Sequence, residues 1–283
     1  MSVGIKYQKN ITKQRFCTIA VQVKITSEGE KMYRVEDYPQ IQGSCFLLGR
    51  GRGPSRILRG KVGIITFFLR RGNKPWPKSA IDSYYRSLNE AERNLEREAK
   101  RYNTQLEFAN YQFEYNIPDN ANTRDGYKLV KDYIHSPSVE EAQNYYEKSL
   151  GCNEVPFILA FYEEGRSFAW SQLGEANIYE SNEASAVFYG SRGVHWSTIA
   201  HELLHQFGAR DYYFPERITA KAKQYFGNSI MGIGDYVVDD LTAYLVGWKN
   251  TISAHTYWFL KDTMWYTWDE YIAALNAEWK KKY

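Results

Sequence analysis

From residue 62 onward, apolar and polar positions alternate between a strand period and a helix period. Val62–Arg70 (VGIITFFLR) is an almost unbroken apolar run of strand length, the pattern of a strand covered on both faces. In Lys78–Tyr102 the residues Ile81, Tyr84, Tyr85, Leu88, Ala91, Leu95 and Ala99 recur three and four apart, which predicts a long amphipathic helix. Leu106–Tyr115 alternates as a half-buried strand, Gly126–Ile134 and Ser138–Leu150 predict two short helices, and Val155–Tyr162 (VPFILAFY) predicts a second buried strand. Gly165–Gln172 and Ala184–Tyr189 read as two further strands, followed by helices over Ser197–Phe207 and Asp239–Val246. A last helix is predicted over Thr267–Lys281: Thr267 and Glu270 form a capping box, and Trp268, Tyr271, Ile272, Leu275 and Trp279 share a face.

Residues 1–60 are patterned differently. Cys17–Ile25 and Gly43–Leu48 are short β-like runs, and they lead into a Gly/Arg stretch, Gly49–Lys61, of turn composition. That stretch reads as a solvated connecting loop, with contact to an acidic partner or a nicking site as the alternatives. The chain therefore divides into a β-rich N-terminal segment, 1–60, and an α+β domain, 61–283.

Composition narrows the classes. The 283 residues carry 36 Lys+Arg against 33 Asp+Glu, a net charge of +3, too mild to argue for nucleic acid as a partner. Apolar content of 43% with 24% charged residues is that of a folded globular chain. No apolar run approaches the roughly 18–20 residues of a membrane span. Three cysteines form no CxxC motif and no disulfide framework, and the basic N-terminus has no apolar leader core. The chain as written reads as cytoplasmic; a secreted mature form or a non-classically exported one would look the same. Only five histidines are present, so two of them at ligand spacing carry weight.

That pair occurs in Ser197–Tyr213, STIAHELLHQFGARDYY. His201 and His205 lie four apart on a predicted helix, so both rings leave one face and can reach a single ion. Glu202 follows the first histidine, about 100° round the helix, placed to act on a water rather than to ligate. Gly208 marks a helix end where the chain turns back, which lets Asp211 approach as a third ligand. The pattern His201-Glu202-x-x-His205-x-x-Gly208-x-x-Asp211 arises by chance in on the order of 10⁻⁵ of chains this size. Glu216, Asp235, Asp239 and Asp240 compete as third ligand, although Asp239 and Asp240 precede a helical run where a carboxylate more often caps.

These residues resemble the metzincin metallopeptidases, in particular the snapalysin-like ones whose third zinc ligand is Asp. Asn228-Ser229-Ile230-Met231-Gly232 resembles the Met-turn of that group, with Met231 as a structural floor under the ligand rings. The resemblance covers about Val62–Trp248. It implies a mixed twisted sheet, an active-site helix and a C-terminal helical subdomain after the Met-turn. It further implies one catalytic Zn2+ on His201, His205 and Asp211, with Glu202 as general base, and a protein or peptide substrate. Gly165–Gln172 would be the edge strand on which that substrate lies. Many metzincins carry a Tyr two residues after the Met; Ile233 stands there, and Tyr236 is a candidate oxyanion stabiliser in its place, or an aromatic packed beside the turn. The expected activity is zinc-dependent endopeptidase. The alternatives are a metal-dependent amidase on non-protein amides, a catalytically silent metal-containing binding protein, and an effector-type peptidase with one target. His195 is expected as a polar loop residue or a substrate contact. Cys45 is a weak candidate for a thiolate that blocks the metal, and the C-terminal aromatics (Trp258, Trp265, Trp268, Trp279) are expected in a core.

Overall fold

The computed structural model describes residues 24–25, 30–47, 50–51, 55–72, 74–162, 167–169, 179–181, 194–213, 216–232, 236–263, 273 and 277. They build a mixed α/β architecture around a five-stranded sheet. In chain order the sheet contains β3 (Gly60–Arg71), β4 (Leu106–Ile117), β5 (Phe157–Phe161), β6 (Ser167–Ala169) and β7 (Tyr179–Ser181), after two short N-terminal strands, β1 (Lys24–Ile25) and β2 (Lys31–Tyr33). The spatial order is β4-β3-β5-β7-β6. β3 pairs in parallel with β4 and β5, and β5 in parallel with β7. β6 closes one edge antiparallel to β7, with Phe168 opposite Glu180.

The apolar run of β3 makes it the inner strand. Val62, Ile64 and Phe68 face one core cluster, and Ile65, Phe67 and Leu69 face a second on the other side of the sheet. Both faces are covered, which is why this strand does not alternate. The first cluster includes α2 (Lys78–Arg101), whose Tyr84, Leu88, Ala91, Leu95 and Ala99 are fully buried. The second includes α4 (Val139–Leu150), started by Ser138, whose side chain accepts from Glu141 N at 3.2 Å. Between them the predicted Gly126–Ile134 helix is two pieces. A 3-10 turn (Thr123–Leu129) breaks at Gly126, where φ is +55°, and α3 (Lys131–Ile134) follows. The preceding short helix, α1, spans Pro39–Gln42.

Helices dominate the rest: α5 (Trp196–Gln206), α6 (Glu216–Phe226), α7 (Asp240–Leu245) and α8 (Ala254–Asp262), with β8 (Ile252–Ser253) just before α8. α6 and α8 are not signalled by the sequence pattern. On α6 Ile218 and Ala222 are buried with Tyr225 and Phe226 packed on the same core, and on α8 Thr256, Tyr257, Phe259 and Leu260 are buried; the spacing is helical but each stripe is short.

Other differences have local causes. Of Gly43–Leu48, expected as a strand, the described residues 43–47 continue from α1 as turns: Ser44 N donates to Ile41 O and Leu47 N to Ser44 O, both at 3.0 Å. Pro39 at the start of α1 pre-sets a helical φ, and this outweighs the β-like composition. The expected strand Ala184–Tyr189 lies outside the described residues; the strand found in that region is β7. Of Gly165–Gln172 the described part is β6. Of Thr267–Lys281 only Ala273 and Ala277 are described, both helical. Trp265, Trp268 and Trp279 fall outside the described residues. Trp258 is 47% exposed rather than in the core, with the Lys261 ammonium 4.8 Å above its ring.

The N-terminal residues share the main core. Val35, Ile41, Cys45, Phe46 and Leu58 belong to the same cluster as α2 and α5. β2 pairs antiparallel with β8, Leu58 N donates to Val246 O at 2.9 Å, and Ser55 N to Gln206 O at 3.2 Å. The Gly/Arg stretch is tied inward where it is described: the Arg50 guanidinium lies 3.7 Å over the Tyr244 ring and donates to Lys249 O. Among the described residues, no helix is long and apolar enough to cross a membrane.

Candidate metal centre

The site is carried by α5 and the turn that ends it. His195 caps the helix, its Nδ1 accepting from Ser197 N at 3.3 Å and bonded to Ser197 Oγ at 2.7 Å. Ile199, Ala200, Leu203 and Leu204 bury one face of α5 against α2 and the sheet. Two side chains fix its ends: Gln206 Nε2 donates to Phe157 O on β5 at 3.2 Å, and Ser87 Oγ on α2 donates to Val194 O. The opposite face carries His201 and His205.

The helix stops at Gly208, which has φ +97°. Gly208 N donates to His205 O at 3.0 Å and Ala209 N to Leu204 O at 3.1 Å, the double bond of a Schellman motif. Gly meets little steric cost in this region and an L side chain meets a substantial one. The reversal brings Asp211 back over the histidines. His201 Nε2 and His205 Nε2 are each 3.0 Å from Asp211 Oδ1 and 3.1 Å from one another. His201, His205 and Asp211 thus form a compact three-atom cluster of metal-ligating type.

Outer contacts decide what those atoms offer. His201 Nδ1 lies 2.9 Å from Ile230 O, and His205 Nδ1 3.0 Å from Ala209 O. A carbonyl oxygen only accepts, so both Nδ1 atoms carry the proton and both Nε2 atoms present lone pairs. With both Nε2 atoms unprotonated, Asp211 Oδ1 receives no hydrogen bond. Three acceptors facing one another at 3.0–3.1 Å repel unless something positive sits among them. Tetrahedral ligands about 2.0–2.2 Å from a zinc ion are about 3.3–3.5 Å apart, so these side chains fit one ion after a shift of a few tenths of an ångström.

The same preference appears in the titration of the metal-free cluster. Burial works against charge on both imidazoles, yet hydrogen bonding and attraction to Asp211 raise both above the ordinary histidine value. Burial likewise works to raise the Asp211 carboxyl, and the two imidazoles bring it well below the usual carboxylate range. The cluster draws in positive charge, whether protons or a metal ion.

The remaining predicted residues are placed as follows. Met231 is fully buried; its N accepts no role in ligation but donates to Ser229 Oγ at 3.1 Å, and its carbonyl accepts from Tyr212 N at 2.8 Å. The turn around it presents Ile230 O to His201 and is closed by Gly232 N donating to Ser229 O at 2.9 Å. Glu202 lies beside His201 on the helix, near enough for its charge to help raise that imidazole. Tyr236 is 46% exposed, its ring 4.9 Å from Trp196 and 6.0 Å from His195, at the start of α5. Asp239 caps α7, and Asp240 accepts from Ser253 N and Thr256 Oγ1, so neither joins the cluster. Glu216 opens α6, while Ile233 and Asp235 lie outside the described residues. Cys45 is 2% exposed in the core, its thiol pushed up by burial to about 12, and it is not part of the cluster.

Sequence reasoning passed over Tyr213, whose ring lies 5.9 Å from that of His201 at an interplanar angle of 26°. Its position two residues after Asp211 was the available signal. It also passed over the carbonyls of Ala209 and Ile230, which no side-chain pattern marks. No protein-family model matches the chain, and no curated protein matches it.

Proposed function

We propose that this chain is a zinc-dependent endopeptidase of metzincin type, with His201, His205 and Asp211 as ligands and Glu202 as general base. The observation that carries the reading is the meeting of two Nε2 lone pairs and one carboxylate oxygen, with both Nδ1 protons committed to backbone carbonyls. Three protein ligands are the number used by catalytic zinc sites, which keep a position open. The strand order supports it further: β6 is an antiparallel edge strand and packs beside α5.

Zinc held by these three residues would supply Lewis acidity, lowering the pKa of water towards about 7 and polarising a carbonyl. Glu202 takes the proton from the attacking water and returns it to the leaving amine. A peptide added to β6, the edge strand among the described residues, gains main-chain hydrogen bonds and is held across the face of α5. The ring of Tyr213 lies beside that of His201, whereas Tyr236 packs at a tilt on Trp196 at the start of the helix. Met231 and Tyr212 hold the floor in place.

The test is metal analysis combined with digestion of an unfolded protein substrate, with and without chelator, on wild type and Glu202→Gln. One zinc per chain, digestion abolished by chelator, and a Glu202→Gln protein that keeps zinc without digesting are expected. Zinc without digestion, or turnover of small formyl or acetyl amides alone, would replace the endopeptidase reading by a silent metal protein or an amidase.

A further inference from the structure

Asp239 is 7% exposed and receives five hydrogen bonds. Its Oδ1 accepts from Leu241 N and Thr242 N at 3.0 Å and from the Tyr212 hydroxyl at 3.2 Å. Its Oδ2 accepts from Ser229 Oγ at 2.5 Å and Thr242 Oγ1 at 2.6 Å. Among the described residues no lysine or arginine pairs with it. A buried carboxylate is costly to desolvate, and a neutral Ser, Thr or Asn caps a helix as well. Capping α7 therefore accounts for Oδ1 and leaves Oδ2 unexplained.

The two oxygens reach two of the segments that carry the candidate cluster. Oδ2 holds Ser229, whose Oγ in turn accepts from Met231 N, and the residue between them, Ile230, presents its carbonyl to His201 Nδ1. Oδ1 holds the side chain of Tyr212, the residue after Asp211, and Tyr212 N donates to Met231 O. One carboxylate thus ties the turn that orients His201 to the segment that delivers Asp211.

We infer that Asp239 is a positioning residue of the metal centre, acting through Ser229 and Tyr212 on two of its three ligands. This rests on the metal reading above. Groups that orient metal ligands typically change affinity by about 10–100-fold when removed. Asp239→Asn separates the two roles, because its carbonyl oxygen still caps α7 while its NH2 group, a donor only, stands where Oδ2 accepted from Ser229 and Thr242.

The experiment measures zinc affinity by competition with a chromogenic chelator, and the visible spectrum of the Co2+-loaded protein, for the full chain. Asp239→Asn is expected to keep the metal-free circular dichroism, bind zinc about 10–100-fold more weakly and shift the Co2+ bands. Ser229→Ala, which leaves Asp239 and the cap in place, is expected to act in the same direction, and the double variant to lose little more than either. Ser253→Ala, which removes the cap of α8, is expected to leave zinc affinity unchanged. If Asp239→Asn does not fold, Ser229→Ala decides alone. Wild-type affinity and spectrum in both variants would overturn the inference and leave the metal reading standing. A wild type that binds no zinc, like His201→Ala, would overturn both.

Discussion

His201 and His205 are each set in one tautomer by a backbone carbonyl outside the cluster. Each gives its Nδ1 proton to a carbonyl, Ile230 O or Ala209 O, and so has a lone pair left for an ion. His201→Ala is expected to lose the zinc equivalent, read by metal analysis of purified protein, and retention of a full equivalent would remove His201 from the ligand set. The titration directions give a pH prediction for the chelator-treated protein. Both imidazoles have raised values when folded, so their contribution is complete below the ordinary histidine value of 6.5 and is lost as pH rises through the folded values. Asp211 is lowered, so its contribution is present above the ordinary value of 3.8 and is lost only as pH falls through a lower one. The metal-free cluster therefore stabilises most between about pH 4 and 6.5. Urea denaturation should show wild type exceeding Asp211→Asn by more at pH 5.5 than at pH 8, as an order-of-magnitude linkage effect. Zinc competes with those protons, so its affinity should rise with pH over the same interval. At the same scale, Tyr213→Phe should lower turnover more than Tyr236→Phe, because the Tyr213 ring lies beside His201; equal effects in a digestion assay would count against it.

At the scale of elements, α5 and its ending turn are the decisive piece. Gly208 at φ +97° allows the reversal, and the returning Ala209 carbonyl reaches His205. Gly208→Ala is expected to cost about 1–2 kcal/mol in denaturant stability and to weaken zinc binding together with it. Unchanged values in both would show that the turn tolerates a side chain. Much of this was legible in advance. The i, i+4 histidines, the glycine and the following aspartate predict the helix, the reversal and the meeting of the three side chains. The Val62–Arg70 run predicts a central strand for an equally local reason, since burial on both faces leaves no polar position. Elements with few buried residues were not legible. β7 spans three residues, and the stripes of α6 and α8 are short, so these helices depend on the core that they pack on.

Across the whole molecule, the N-terminal residues are part of what holds the site. Phe46, 1% exposed, packs 6.0 Å from the ring of Tyr212 and 5.2 Å from that of Phe259. Tyr212 follows Asp211 directly, so a support of the metal centre rests on a residue from the N-terminal segment. Phe46→Ala is expected to cost about 3–5 kcal/mol, measured by urea denaturation of the full chain. A cost within about 0.5 kcal/mol, usual for surface positions, would mean that this segment contributes nothing to the core.

The sequence by itself determined which atoms can bind a metal, because ligand chemistry and helical spacing are properties of neighbouring residues. It also determined the central strand and the long helix, whose periods are local. Only the tertiary structure decided that Asp239 bonds both Ser229 and Tyr212, that Cys45 lies in the core, and that β6 is an edge strand among the described residues. Those relations join residues far apart in the chain, through carbonyls and turns that carry no side-chain pattern.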